Sequence, residues 1–198
     1  MKNMLNTFLL LLTFLIAGSS FAYPEFQRFS QNNSGRPINC AMCHTNGDGP
    51  EGASRGQIGS LTPDELNKLN AARSAFAPGV PIQSPILNAF GNNIITVIGK
   101  TKFLELRAHP EQLAEVYGYQ SDLDSDGIAD AQEYLEGTHP LNNVHGNPMK
   151  LFLHNLKTFR LHVILIVLAT IAGFYGFSHL LNGFAASSNT KSSVERYP

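Results

Sequence analysis

Residues 39–50, NCAMCHTNGDGP, contain both cysteines of the chain, Cys40 and Cys43, three positions apart, with His44 directly after the second. Two thiols one helical turn apart can each add across a vinyl group of a single porphyrin. The adjacent imidazole then lies under the iron as an axial donor. This C-x-x-C-H arrangement is the one used for c-type haem attachment. Other uses of the pair fit less well. A thioredoxin-like redox pair wants a βαβ setting, which the flanking sequence does not offer. A structural zinc site needs a second pair of ligands, and no other cysteine is present. A disulfide across two intervening residues closes a tiny loop and stabilises little.

A second constellation is acidic: SDLDSDGIADAQEYLEGTHPLNN, residues 121–143. Against a twelve-residue calcium loop, Asp122, Asp124, Asp126, Asp130 and Glu133 take positions 1, 3, 5, 9 and 12. Gly127 stands at the sharp turn, and Ile128 offers its backbone carbonyl at position 7. Alternating oxygen donors closed by a glutamate that can bind with both oxygens make a cage for one hard cation, Ca2+. The segment also resembles the thrombospondin type 3-like repeats of exported bacterial proteins over about 22 residues. His139 stands where those repeats often carry an acid before the proline, and no second repeat follows. The resemblance implies a weakly binding structural staple rather than a sensor, with Kd of about 10⁻⁴ to 10⁻³ M.

The elements that must position these groups follow from the rest of the chain. MKNMLNTFLLLLTFLIAGSSFA has a short basic start, an apolar run and small residues at Ser20 and Ala22, the pattern of a secretory signal cut after Ala22. Near the other end, residues 161–181 form a run of 21 without Asp, Glu, Lys or Arg. As a helix this reaches about 30 Å, the thickness of a hydrocarbon core. The flanking basic residues, Lys157 and Arg160 before it and Lys191 and Arg196 after it, leave the positive-inside bias undecided, so the signal sets the orientation. The expected organisation is a signal peptide 1–22, a haem-binding region 23–120, a calcium loop 121–143, a juxtamembrane connector 144–160, a transmembrane helix 161–181 and a cytoplasmic tail 182–198. Residues 23–150 hold 14 Asp and Glu against 9 Lys and Arg, net −5, which argues against a nucleic-acid partner.

Within the exported part, residues 23–60 are rich in Gly, Asn, Ser and Pro with little periodicity and read as loop. LTPDELNKLNAARSAF predicts a helix with Thr62 as N-cap, Pro63 at the first position and an inner face of Leu66, Leu69, Ala72 and Phe76. PILNAFGNNIITVIGK predicts a second helix with Leu87, Phe90, Ile94 and Ile98 on one stripe, although its β-branched residues leave a strand open. TKFLELRA is ambiguous, and HPEQLAEVYGY predicts a short helix. The expected fold class is mainly α: a small, loop-rich haem domain, an appended calcium loop and one C-terminal transmembrane helix.

On Cys40, Cys43 and His44, followed by a mainly helical segment, the chain resembles the monohaem c-type cytochrome family. The resemblance implies one covalent haem c, thioether bonds at the two cysteines, His44 on the iron, and one-electron transfer between larger redox partners. Many members place a methionine some tens of residues downstream as sixth ligand, and here the pattern departs. Met42 sits between the cysteines, and Met149 follows His44 by 105 residues. Met149 and His145 are the leading candidates. His109, His139, His154, or an open or non-side-chain position remain alternatives.

The functional expectation is an electron carrier rather than an enzyme in its own right, since no catalytic cluster and no second haem motif accompany the first. It would be anchored in a bacterial inner membrane with its haem domain in the periplasm, serving a membrane redox complex or a soluble electron-transfer protein. The small-residue pairs Ala169/Gly173 and Ala172/Gly176 permit a transmembrane helix partner. His162 and His179, near opposite ends of the span, are read as interfacial in preference to ligands of a b-type haem. A gas-binding haem sensor and a structural haem subunit of a larger membrane complex are the alternative functions.

Overall fold

A computed structural model describes the backbone of residues 23–194 and the side chains of 23–186. The expected signal peptide and the end of the expected tail lie outside the described residues. Two compact units divide the chain, one ending at Asn147 and the other starting at Pro148. Among the described residues there are seven α-helices, several 3₁₀ turns and no strand, as a mainly α class requires.

The first helix, α1 (Pro24–Ser34), corrects the expectation of loop through residues 23–60. Pro24 opens it and Gly35 follows it, and both are helix-end signals. Its polar residues hide the pattern because they bond across the fold. The Ser30 hydroxyl, fully buried, donates to the Tyr134 carbonyl, and Asn33 Nδ2 donates to Leu135 O at 2.8 Å. Phe26 supplies the apolar anchor, stacked on Phe103 with ring centroids 4.6 Å apart. The stretch that carries the two cysteines remains irregular.

Helix α2 (Pro63–Arg73) starts where predicted. Thr62 Oγ1 accepts from Glu65 N–H at 3.3 Å, while Thr62 N–H donates to Glu65 Oε2 at 2.8 Å, a reciprocal capping box. Leu69 and Ala72 are buried, but Leu66 and Phe76 are 42% and 56% exposed, so the inner face is narrower than the spacing suggested.

The TKFLE segment completes α3 (Ala89–Glu105), and the strand alternative for its first half is not adopted. Phe90, Ile94 and Ile98 face the core as one stripe, with Leu87 partly buried ahead of the helix. At Gly99 the backbone leaves helical geometry, at φ 75° and ψ 152°, and the last turns take a new direction. A Cβ there would lie 2.6 Å from the Phe76 carbonyl oxygen, so the close approach of residues 76–78 also demands glycine.

The remaining helices of this unit are α4 (Leu113–Tyr117) and α5 (Asp130–Glu136). Phe26, Phe90, Ile94, Leu106, Leu113, Tyr117 and Tyr134 interlock in the core, each contributing about 1.5–3 kcal/mol by burial.

The second unit holds α6 (Pro148–Thr158), within the segment expected as connector, and α7 (Arg160–Val194). Residues Arg160–Ala186 of α7, 27 in number, are long and apolar enough to cross a membrane, and the apolar window is not buried within the protein. The run expected at 161–181 lies inside that stretch, and the helix continues into the segment expected as tail.

Candidate functional site: a cysteine–histidine cavity and an acidic loop

The 3₁₀ turn Cys40–Met42 places the two cysteines and His44 on one coil of backbone. Asn39 caps it by accepting from Ala41 N–H at 3.0 Å, and His44 N–H donates to Cys40 O at 2.8 Å. Neither cysteine is in a disulfide. Burial pushes the Cys43 thiol up to about 12. It also raises the Cys40 thiol, with the Asp48 carboxylate adding to the effect.

His44 is fixed from the segment just ahead of α3. Its Nδ1–H donates to the Ile86 carbonyl at 3.1 Å, and its backbone pairs with Leu87 in an isolated antiparallel bridge. Burial lowers the imidazole below its ordinary range, opposed by that bond. The ring is therefore neutral at pH 7, with the proton on Nδ1 and the lone pair of Nε2 left for coordination, the tautomer a metal-binding histidine needs.

Asn88 is a functional residue that motif reasoning passed over. Its Oδ1 caps α3 by accepting from Gly91 N–H at 2.9 Å, and its Nδ2 donates to Ala41 O at 2.7 Å and Met42 O at 3.0 Å. One side chain thus starts the helix and clamps the residues between the cysteines. Its position, an asparagine directly before an apolar-periodic run, is the available sequence signal. Behind it Asn92 holds residues 84–88 through both ends of its amide. Gly91 lets α3 press onto the motif, since a Cβ there would sit 2.2 Å from Cys43 O.

Cys40, Cys43 and His44 open into a cavity of about 370 Å³, within the range of cofactor pockets. Its walls are mainly apolar, from Ile38, Ile58, Ile82, Ile94, Phe103 and Leu113. The polar exceptions suit an anionic edge. Ser84 Oγ is buried without a hydrogen-bond partner, and Arg73 and Lys100 also line the space. Two unoxidised thiols, a histidine with Nε2 available, apolar walls and a few polar groups fit a porphyrin with carboxylate substituents.

Of the proposed sixth-ligand side chains, those in the first unit, His109, His139 and His145, are not among the residues that line this cavity. Met149 belongs to the second unit and is 64% exposed. His145 is exposed in a turn in which its N–H donates to Asn142 O. His109 pairs through Nδ1 with Glu111 at 3.3 Å on the surface, and His139 Nδ1 accepts from Leu141 N–H at 3.2 Å. His154 lies in α6 of the second unit.

In the acidic loop, Asp122, Asp124 and Asp126 bring carboxylate oxygens within 4.8 Å of one another. Backbone amides fold around them. Asp126 N–H donates to Asp122 and Asp124, Gly127 N–H to Asp122 at 3.0 Å, and Ile128 N–H to Asp126 at 2.7 Å. Glu133 is fully buried. Its Oε1 accepts from Thr138 Oγ1 at 3.1 Å, and its Oε2 has no hydrogen-bond partner. Burial first, then the charges of Asp124, Asp126 and Asp130, push its carboxyl up to about 8. Burial and Asp126 likewise raise Asp124, whose Oδ2 is also an orphan. Such a set of carboxylates fits a cation. Asp130 differs, because its two oxygens already accept from Tyr117 OH, Ser121 Oγ and Leu123 N–H. It ties the loop to the core through Tyr117.

No protein-family model, no curated protein and no solved structure matches the chain.

Proposed function

We propose that this chain is a membrane-anchored monohaem c-type cytochrome that passes single electrons on the exported side of a bacterial inner membrane. Its partner is a membrane redox complex or a soluble electron-transfer protein. The observation that carries the reading is the cavity at Cys40, Cys43 and His44, with the histidine held by Ile86 so that Nε2 is available. When bound, haem supplies an iron centre that cycles between two oxidation states.

The chain's own groups do the rest. Cys40 and Cys43 would hold the porphyrin through thioether bonds, an addition of each thiol to a vinyl group in which nothing is oxidised. His44, held by Ile86 with Nε2 available, would hold the iron in a fixed tautomer. The apolar walls exclude water, Ser84 and Arg73 receive the carboxylate edge, and α7 confines the protein to the plane of the membrane, which concentrates it near membrane-bound partners. One Ca2+ at Asp122, Asp124, Asp126, the Ile128 carbonyl and Glu133 offsets the loop's repulsion, with Asp130 acting as a support behind the ligands.

A gas-binding sensor is the second reading. It draws on the first unit's candidates for the sixth position, His109, His139 and His145, none of which is among the residues that line the cavity.

The test is to express the full chain in cells with a c-type maturation system. The carrier reading expects a polypeptide heavier by one porphyrin, red in colour and reversibly titrated by one electron. A colourless chain of polypeptide mass sinks it. A ferrous form that binds carbon monoxide tightly transfers the assignment to the sensor.

A further inference from the structure

Resting on the reading of α7 as a membrane span, we propose that α6 is a second membrane-binding element. It lays its apolar face on an anionic lipid surface and sets its lysines among the phosphate headgroups.

The pattern of α6 is the first observation. At about 100° per residue, Phe152, Leu153, Leu156 and Phe159, the last directly after the helix, fall within an arc of about 120°. His154, Asn155 and Thr158 lie outside that arc, and Leu151 breaks the pattern. Lys150 and Lys157, seven positions apart, share one flank of it. No residue of α6 is buried, and the four apolar residues of the arc are between 41% and 59% exposed. A helix with one apolar face is completed by an apolar medium on that face and water on the other.

Length says which medium is near. The 27 residues Arg160–Ala186 of α7 reach about 40 Å, the thickness of a bilayer with its headgroups. The 11 residues of α6 add about 16 Å, which the hydrocarbon cannot also hold. Yet α6 stays close to the membrane, because Phe159 is the single residue between the two helices. Its N–H donates to Asn155 O at 2.8 Å, and Val163 N–H donates to Phe159 O at 3.0 Å, so backbone bonding continues through the junction. Regular helix is nonetheless interrupted at Phe159, the point where α6 turns onto the surface. The nearest apolar medium is then the interfacial layer at the end of the span.

Charge gives the lipid class. No Asp or Glu occurs between Glu136 and Glu195, while Lys150, Lys157 and Arg160 gather at this end of the span. Basic side chains at the edge of an apolar helical face keep their stems on the apolar layer and reach headgroup phosphates with their tips. Anionic lipid offers both the apolar layer and a sheet of negative charge within reach of α6.

The chain has no tryptophan, so a single introduced one reports alone. The experiment uses the full chain in vesicles of phosphatidylcholine and phosphatidylglycerol. Phe152→Trp should be quenched at least about twofold more by lipids brominated near the headgroup than by lipids brominated at the chain tips, and should be shielded from aqueous acrylamide. Leu156→Trp should repeat this, whereas His154→Trp on the polar face should be open to acrylamide. Lys157→Gln with Arg160→Gln should weaken the shallow quenching of the Phe152→Trp protein with phosphatidylglycerol and leave it unchanged in phosphatidylcholine alone. Acrylamide reaching all positions equally overturns the inference, because α6 then stands in water. Protection of Phe152→Trp from every quencher overturns it in favour of a protein cover, either the first unit or a second copy. Quenching of all positions by deep bromines makes α6 part of the span and overturns it too. Equal shallow quenching with and without phosphatidylglycerol overturns the assignment to an anionic surface. A chain that alkaline carbonate strips from the vesicles has no span, which overturns the anchor as well, whereas the quenching failures leave the anchor standing.

Discussion

The cavity at Cys40–His44 and the loop at Asp122–Glu133 approach their ligands from opposite starting points. Around the cavity most protein groups already satisfy one another: Asn88 clamps the turn, Ile86 fixes the histidine, and the walls are mainly apolar, with Ser84 Oγ the orphan. In the loop the charges oppose one another, with buried Glu133 pushed up to about 8 and one of its oxygens orphaned. A site of the first kind keeps its geometry without its ligand and gains packing when filled. A site of the second kind is held apart by repulsion until a cation arrives, so its occupancy is read directly as stability.

The contrast can be broken most decisively at the cysteines. Cys40→Ala with Cys43→Ala should abolish covalent haem, a loss of more than tenfold in the red holoprotein, while calcium binding, followed by calorimetry, persists. Simultaneous loss of both would show that the sites are one unit.

The next effect is pH-dependent and centres on Glu133 of the loop. In calcium-free protein the Glu133 carboxyl titrates near 8 when folded against an ordinary value of 4.5. The folded state therefore favours the protonated form, and its full stability is present below about 4.5. That stability falls as pH rises to about 8, by an amount on the order of 5 kcal/mol. Saturating calcium should remove the slope. Glu133→Gln should remove it without calcium and also remove the stabilisation by calcium, as measured by urea unfolding across pH.

Asn88→Ala probes the preformed side. Losing a helix cap and two carbonyl contacts should cost about 1–3 kcal/mol, seen as a lower Tm with calcium affinity unchanged. The smallest effect is expected from Arg107→Ala. Its bond to Glu25 at 2.8 Å is largely exposed, and its loss should cost under about 1 kcal/mol and shrink further in high salt.

The two regions were also unequally legible. Both candidate ligand sets are local in sequence, so spacing alone could propose them, and the Thr62 capping box and the Phe90–Ile94–Ile98 stripe followed from helical period. The cavity walls were not legible. Ile38, Ile58 and Ile82 come from irregular segments that meet only through tertiary contacts, and α1 is held by Ser30 and Asn33, residues that count as loop formers in isolation. Asp130 shows the same limit on the acidic side: its register predicted a ligand, while its bonds to Tyr117 and Ser121 depend on residues folded against it. A sixth ligand is harder still, because it depends on which donor lies across a space that no spacing rule describes.

The bend at Gly99 gives α3 a further property. Gly91 abuts the Cys40–His44 turn, and the straight stretch from there to Ile98 ends where the chain swings Phe103 beneath Tyr23. Those eight residues act as a ruler of about 12 Å. Adding or deleting one would change the gauge by about 1.5 Å and rotate the inner stripe by about 100°. The length of this rod, more than the identity of any one wall residue, fixes how long the cavity is between the Cys43 and Phe103 ends.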